Sequence, residues 1–465
     1  MRLQLALVTT GLFACLAACE DGGDNGSQPP LNLPPPSGFD AAAPAPPDAS
    51  IPEDAPATTK VNVTAVSRHY EPLESQAPRA GVSVYAISTA GALVGTVTTG
   101  ADGKASVELP TGGSVTAVYP KGTQSNRVTV VTYMGVKPGD NLTFGDHDTQ
   151  HMATPGTEGQ LTVQWPAVAN ATSYEVLSPC YETSTTNLTT TLSLWEGCQK
   201  PVAPVALIAY DGSEHVIASV FLPAAVYTPG STLAITAEQW VSQAATPSYG
   251  VTVTGLVPAV QSVNISATGE FERLWFDRSA YGIEPNQGTA TTAFSLPSAA
   301  LNKHGMARLW RGDYDGRQYF WKAGAAPLSI DASGRPWVTT AAASAEDRLV
   351  QWLQSPGTAY DAATVQLHWS PSDDTRVTWR VLLPPDETLF DFKAFPPELA
   401  DFLPNASTGF DVGLRLIDLS SANSYDDVRA LPEWHVMDPE GAVRLGDEPS
   451  VAAADGGEGY SYFFY

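Results

Sequence analysis

The chain reads as an all-β protein: tandem β-sandwich domains that follow a disordered N-terminal tether. Three observations predict this. Only 16% of the 465 residues are charged, while Gly and Pro are abundant and Val/Thr runs outnumber helix-forming blocks. From Lys60 onward apolar residues alternate with polar ones at a period of two, the repeat of a half-buried strand. Turn dipeptides such as Asp102-Gly103 and Asp211-Gly212 separate these runs, because Gly accepts the positive φ that tight hairpins require. A chain of this length exceeds what one hydrophobic core serves, so several domains of roughly 80–140 residues are expected.

The first residues bear on location. Arg2 precedes an apolar run, Leu3 to Ala14, that is too short to span a bilayer permanently and long enough for the core of a signal peptide. It ends in Leu16-Ala17-Ala18-Cys19, which resembles the bacterial lipobox. That resemblance implies a signal peptide over 1–18, cleavage before Cys19 and diacylation of its thiol, with an ordinary secretory signal cut elsewhere as the alternative. Glu20 stands where the sorting signals of Gram-negative lipoproteins lie and is not the aspartate of inner-membrane retention, which implies the outer membrane. Residues 19–59 then form a tether: Pro29-Pro30, Pro34-Pro35-Pro36 and Pro46-Pro47 occur among seven acidic residues and no basic one. Such a segment has almost nothing apolar to bury and is expected to stay extended or disordered.

The folded part divides into four expected segments. In 60–148, Val61, Val63 and Ala65, then Val82, Val84 and Ala86, then Ala105, Val107 and Leu109 each hold one face of a strand. The passages Gly81-Val-Ser-Val-Tyr-Ala-Ile and Thr99-Gly-Ala-Asp-Gly-Lys-Ala-Ser-Val-Glu-Leu resemble carboxypeptidase regulatory-like and bacterial Ig-like sandwich modules, which implies a structural spacer. In 149–227, Leu161-Thr-Val-Gln-Trp165 and Ala171-Thr-Ser-Tyr-Glu-Val176 resemble the B and C strands of a fibronectin type III domain. Val205 to Ala209 and Val216 to Val220, joined across Asp211-Gly212, are expected to close it as a hairpin. Segments 228–330 and 331–465 resemble no family, yet their patterning remains that of strands: Tyr249 to Leu256, Val260 to Ala267, Ala307 to Trp310, Gln318 to Trp321, Val365 to Trp369 and Val377 to Leu383. Phe395 to Leu403, opening on Pro-Pro-Glu, predicts the single short helix, since Pro is tolerated in a first helical turn. The closing Tyr460-Ser-Tyr-Phe-Phe-Tyr465 resembles the terminal aromatic of outer-membrane barrels, but a last sandwich strand suits the rest of the chain better.

Composition also excludes functions. A formal charge of −25 argues against general affinity for nucleic acid or anionic lipid, which needs clustered Lys and Arg. Of four cysteines, Cys15 leaves with the signal peptide and Cys19 carries lipid, which leaves Cys180 and Cys198 as an expected disulfide in an oxidising compartment. It would staple a long loop that fibronectin modules generally leave open, contributing about 3 kcal/mol in the chain-entropy model.

Nine of the eleven tryptophans lie beyond Val226. Trp275, Trp310, Trp321, Trp337, Trp369 and Trp379 offer flat apolar faces on which sugar rings could stack, against the plainer reading of strand residues filling a core. Arg311-Gly312-Asp313 matches the tripeptide that integrins recognise, and the following Asp315-Gly316 reads as an ordinary hairpin turn. Asp146, His147, Asp148 and His151 supply oxygen and nitrogen donors, but in a linker they read as solvated polarity; Asp313 and Asp315, and Asp373-Asp374, lack the twelve-residue calcium-loop pattern. His215, His304, His368 and His435 are scattered. No G-x-S-x-G elbow, H-E-x-x-H, P-loop or dinucleotide fingerprint occurs, and no cofactor is implied. The sequence therefore predicts a non-enzymatic, lipid-anchored envelope protein with a structural, adhesive or ligand-binding role, whose partners are the membrane, through its lipid, and surface proteins or glycans. The alternative is a carbohydrate-binding or polysaccharide-acting protein that uses the aromatic half.

Overall fold

The computed structural model describes residues 59–456 apart from 70–74, 121–126, 148–156, 180, 196–201, 272–273, 299, 301, 312–316, 345, 373–374, 393–394, 404–409 and 438–449. The expected signal peptide, Cys19, the expected tether, Cys180, Cys198 and the terminal aromatics lie outside these residues. The described part is built from β-strands in packed sheets, as the period-two patterning predicts.

The predicted faces are the buried ones. Val61, Val63 and Ala65 on strand Lys60–His69, and Val82, Val84 and Ala86 around strand Ser83–Ser88, lie in one core with Val107, Leu142 and Phe144. At the predicted Asp102-Gly103 turn, Gly103 has φ +73, and a Cβ there would sit 2.4 Å from the Ala65 carbonyl oxygen. No other residue fits that position. In the next segment, strands Val202–Tyr210 and Val216–Val226 form the expected hairpin, with Ala209 opposite Ala218. The Asp211 carboxylate accepts from the Ser213 and His215 amides, and it is Glu214, not Gly212, that takes the left-handed conformation. This hairpin belongs to a five-stranded sheet that packs on a three-stranded one over Leu161, Val163, Trp165, Tyr174 and Val176.

The largest sheet has twelve strands. Its order is Leu274–Ile283, Val260–Phe271, Asn302–Arg311, Arg317–Ala323, Ser450–Gly456, Phe410–Asp418, Ala362–Ser372, Thr375–Leu383, Arg127–Val136, Gly113–Val118, Ser83–Ser88 and Leu93–Thr98. Strands from the first, third and fourth expected segments thus share one hydrogen-bonded surface. The join is a parallel pair, Arg127–Val136 beside Thr375–Leu383, with Val130 opposite Trp379 and Thr132 opposite Val381.

Alternation assigns the two faces of this sheet to different cores. Val130, Val365, Leu367, Trp369, Val377, Trp379 and Leu414 pack toward the small sheet Val338–Ser344, Leu349–Gln354 and Leu389–Asp391. Ile265, Ala267, Ala307, Leu309 and Phe320 pack toward Tyr249–Thr254, Ala290–Phe294 and Leu328–Asp331. Tyr133, Leu382 and Ile417, on the opposite face, join the core of the first module together with two short helices, α1 (Tyr425–Ala430) and α2 (Glu433–Met437).

Side chains lock the parallel join. The Trp379 indole donates to the Thr132 hydroxyl at 2.9 Å, and the Tyr425 hydroxyl lies 2.8 and 3.0 Å from the carbonyl oxygens of Met134 and Leu382, one on each strand. Arg380 pairs with Glu433 of α2 at 2.7 Å and donates to the Gly145 carbonyl at 2.7 Å; the two side chains are 5% and 0% exposed. Around the rim, Lys137 meets Asp426 at 2.6 Å and Arg429 meets Asp140 at 3.1 Å and Asp426 at 2.9 Å.

Truncating one member of the buried pair strands the other charge in a dry site. Glu433→Ala should therefore lower unfolding free energy by about 3–5 kcal/mol, whereas Arg380→Met with Glu433→Leu should recover most of that loss. Urea titration followed by tryptophan fluorescence checks both variants; equal stability of Glu433→Ala and the parent would sink the claim.

Candidate functional site

The six tryptophans singled out by sequence separate into three groups. Trp337, Trp369 and Trp379 are buried in two different cores and present no free ring face. Trp275 lies in strand Leu274–Ile283, with its side chain outside the description. Trp310 and Trp321 are half-buried and stand on the same face of the neighbouring strands Asn302–Arg311 and Arg317–Ala323.

That face is the reverse of the one that buries Ala307, Leu309 and Phe320. Period-two alternation therefore places His304, Met306, Arg308 and Trp310 on it from one strand, and Arg317, Tyr319 and Trp321 from the next. The rings and guanidinium form a ladder: Arg308 lies 4.8 Å from the Trp310 ring centre and 5.0 Å from that of Tyr319, and Tyr319 stacks on Trp321 at 5.7 Å with planes 15° apart. Burial raises the Tyr319 phenol pKa, while Arg308 and Arg317, both within reach of its hydroxyl, pull it back. Two cations thus converge on one point.

The two outer strands continue this surface. Asn264 lies opposite Arg308, Ser266 shares a hydrogen bond with Ser279 at 2.7 Å, and Tyr281 is 76% exposed. Thr268 donates to Asp277 at 2.6 Å, so the carboxylate sits at the far end of the face from Arg308. On this side Tyr319 is buried in the core of the first module together with Ile417 and Val451, and Trp321 packs against that core. The open part of this side is therefore the outer strands with Tyr281, while toward Arg317–Ala323 the side runs into that core. Sequence reasoning picked out the two tryptophans and missed Tyr281, Arg308, Arg317 and Tyr319. The signal was present in Ala307-Arg-Leu-Trp310 and Arg317-Gln-Tyr-Phe-Trp321, where both phases of the alternation carry bulky residues.

The other candidates are placed as follows. Asp146 accepts from the Thr129 hydroxyl at 2.7 Å, while the His147 side chain, Asp148 and His151 lie outside the description, as do Gly312, Asp313, Asp315 and Asp373-Asp374. Among the described residues no three His, Cys, Asp or Glu side chains gather as a metal site. His215 pairs with Asp211 inside its own turn, and His435 is buried on α2.

His368 is the most perturbed histidine described. Its Nδ1 lies 3.0 Å from the Thr378 hydroxyl and its Nε2 2.8 Å from the Gln366 amide nitrogen, the partners of a neutral ring that donates through one nitrogen and accepts through the other. Burial first, then Arg127, Arg380 and Arg415, lowers its pKa to about 4. With an unfolded value near 6.5, the unfolded chain binds more protons between those limits. Stability from this residue is complete above pH 6.5 and is lost as pH falls toward 4. Between pH 7 and pH 5 the parent should lose about 1–2 kcal/mol more than His368→Gln. Denaturant midpoints at the two pH values check this, and parallel losses would refute it.

No family model and no curated protein matches the chain. Among solved structures, it resembles the Bacillus anthracis TIE protein at 11% identity, covering 60% of this chain and 51% of that one, with a TM-score of 0.13. The chain thus spans about half the length of that protein. A putative adhesin from Bacteroides ovatus matches at 12% identity over 62% of this chain and 98% of its own, with a TM-score of 0.14. The FN1–FN3 domains of chicken CNTN1 match at 10% identity over 74% and 93%, also with a TM-score of 0.14. None of the three bears on the chemistry of the site.

Proposed function

We propose that the chain is a lipid-anchored cell-envelope protein whose β-sheet body stands away from the outer membrane on an acidic, proline-rich tether and serves a structural or adhesive role. The observation that carries this reading is the order of segments: an apolar run closing on Leu16-Ala17-Ala18-Cys19, a segment with seven acidic and no basic residues, then, among the described residues, packed strands and short helical turns. Two acyl chains on Cys19 suffice for stable anchoring, whereas one binds only marginally. Hydrogen bonding across the module boundaries supports the mechanical side of the reading, because a load applied at one segment passes through a shared sheet rather than through a flexible linker. The disulfide Cys180–Cys198 belongs to the same proposal, since such bonds persist only in an oxidising compartment.

A second reading, carbohydrate binding by the aromatic half, rests on two aromatic side chains that keep some exposure, the half-buried Trp310 and the 76% exposed Tyr281.

Replacing Cys19 by Ser should move the protein from the membrane to the soluble fraction of the expressing bacterium. Unchanged fractionation, or a mature N-terminus other than acylated Cys19 by mass spectrometry, would overturn the anchor.

A further inference from the structure

We propose that the junction between segments 149–227 and 228–330 closes through a proton-operated clasp, in which the Glu182 carboxyl holds a proton against the buried Glu175 carboxylate while the two segments are docked and releases it to water as they part. Docking therefore tightens in mildly acidic surroundings and loosens toward neutral pH.

The sheet that carries the clasp has its reverse side against the next segment. Leu177, Ala206, Ile208 and Tyr210 share a core with Phe271, Leu274 and Phe276, and Phe221 stacks on Phe271 with ring centres 5.3 Å apart. The strand order of this sheet is Tyr181–Thr185, Ser173–Ser178, Val202–Tyr210, Val216–Val226 and Val241–Ser242. At the last two strands the Val216 amide donates to the Ser295 hydroxyl at 2.8 Å, the Gln243 side chain donates to the Leu296 carbonyl at 3.0 Å, and the chain itself crosses to strand Tyr249–Thr254. Glu182 stands on the opposite edge strand, four strand spacings or about 19 Å away. One edge is tied by the covalent chain and the other by side chains, the arrangement of a hinge and a clasp.

The charges of both segments meet at the clasp edge. Glu175 is 5% exposed, and its carboxylate accepts from the Tyr210 hydroxyl and, at 3.0 Å, from the Arg278 guanidinium of strand Leu274–Ile283. Arg278 lies 4.6 Å from the Tyr210 ring centre and 4.4 Å from that of Phe276, one ring from each segment. Glu182, opposite Leu177 and so diagonal to Glu175 on the same face, shares a hydrogen bond with the Glu175 carboxylate. Two ionised carboxylates only accept, so this bond exists only with a proton between them. Asp277 adds its charge from the reverse side of its strand, where it accepts from Thr268. Burial, then the Glu175 charge, raises the Tyr210 phenol pKa, so Tyr210 stays a donor throughout.

A single guanidinium neutralises a single carboxylate. With Glu182 protonated the cluster balances; with Glu182 ionised, Glu175 loses a donor and gains a like charge beside a site it cannot leave. Burial first, then the hydrogen bond to Glu175 and the charges of Glu175 and Asp277, raise the Glu182 carboxyl above its ordinary range against the pull of Arg278. In the parted state the carboxyl returns to that range, so the docked state binds the additional proton. Its contribution to docking is complete below the ordinary carboxylate value and is lost as pH rises through the raised one.

Hydroxyl-radical footprinting of the full chain in detergent, read by mass spectrometry at about pH 5 and about pH 8, tests the clasp. Tyr210 and Phe276 are 5% and 1% exposed when docked, and Tyr281, 76% exposed, serves as the dose standard. Relative to Tyr281, oxidation of Tyr210 and Phe276 should rise at least about fivefold from the acidic to the alkaline sample, the lower end of couplings between linked equilibria. Glu182→Gln, at an exposed position, keeps an amide donor for Glu175 and cannot ionise, so its oxidation should stay low at both pH values. Phe390, buried in a separate core, should not change in either protein. Equal oxidation of Tyr210 and Phe276 in the parent at both pH values means that Glu182 swings into water without loosening the junction, and overturns the clasp. A rise that persists in Glu182→Gln, or one that Phe390 shares, assigns the change to another group or to general unfolding and overturns it as well.

Discussion

The parallel pairing of Arg127–Val136 with Thr375–Leu383 is the constraint on which the architecture depends, because without it the long sheet falls into two pieces with exposed edges. Parallel neighbours cannot be joined by a tight turn and need a long connection. Here that connection is more than two hundred residues long and contains two further sandwich layers. Closing so long a loop costs only modestly more than closing a short one, since the entropy grows with the logarithm of length, but the contact forms late and slowly. The join must therefore be specified strongly enough to exclude other strand pairings.

Burial of Arg380 and Glu433 fits that need. A buried ion pair adds little net stability over apolar residues of the same volume, yet it tolerates only an arrangement in which each charge meets the other. Slipping the strand by one residue would turn Arg380 toward the core of Trp369, Trp379 and Phe390 and leave Glu433 without its cation. The rim contacts are of another kind. Lys137 and Asp426 are more than half exposed, so their pairing contributes little in salt and orients α1 more than it stabilises it.

How much of this was legible depended on the range of the interaction. Local alternation named buried residues of the strands it singled out, such as Val61, Val63 and Ala65, but passed over Gly113–Val118, Arg127–Val136 and Phe410–Asp418, and Asp102-Gly103 named its turn because the φ of Gly103 is a local requirement. The short element after Pro396 is a tight helical turn, Pro397–Phe402, within the span that Pro-Pro-Glu marked. Two further helices, α1 and α2, escaped notice. Ser424, which accepts from the Asp427 amide at 3.3 Å, and Pro432 just before α2 are ordinary helix starts, but five or six residues leave no room for a helical period to show. The parallel join was beyond reach in principle, since Val128-Thr-Val-Val-Thr and Val377-Thr-Trp-Arg-Val are adequate strands with or without each other as neighbours.

The aromatic face illustrates the same limit from the side of function. Whether a tryptophan on a strand belongs to a core or to a surface is decided by what lies over that face, and this is a property of layer order, not of the strand. Trp369 and Trp310 sit in similar alternating contexts. The first is sealed beneath the small sheet that includes Leu349–Gln354, and the second faces away from the Tyr249–Thr254 sheet that covers its neighbours Ala307 and Leu309. Arginine marks the difference better than tryptophan does. A guanidinium keeps its charge at any working pH, so Arg308 and Arg317, in phase with Trp310, Tyr319 and Trp321, must each keep water or a polar partner within reach on a side where Tyr319 is itself buried in the first module's core.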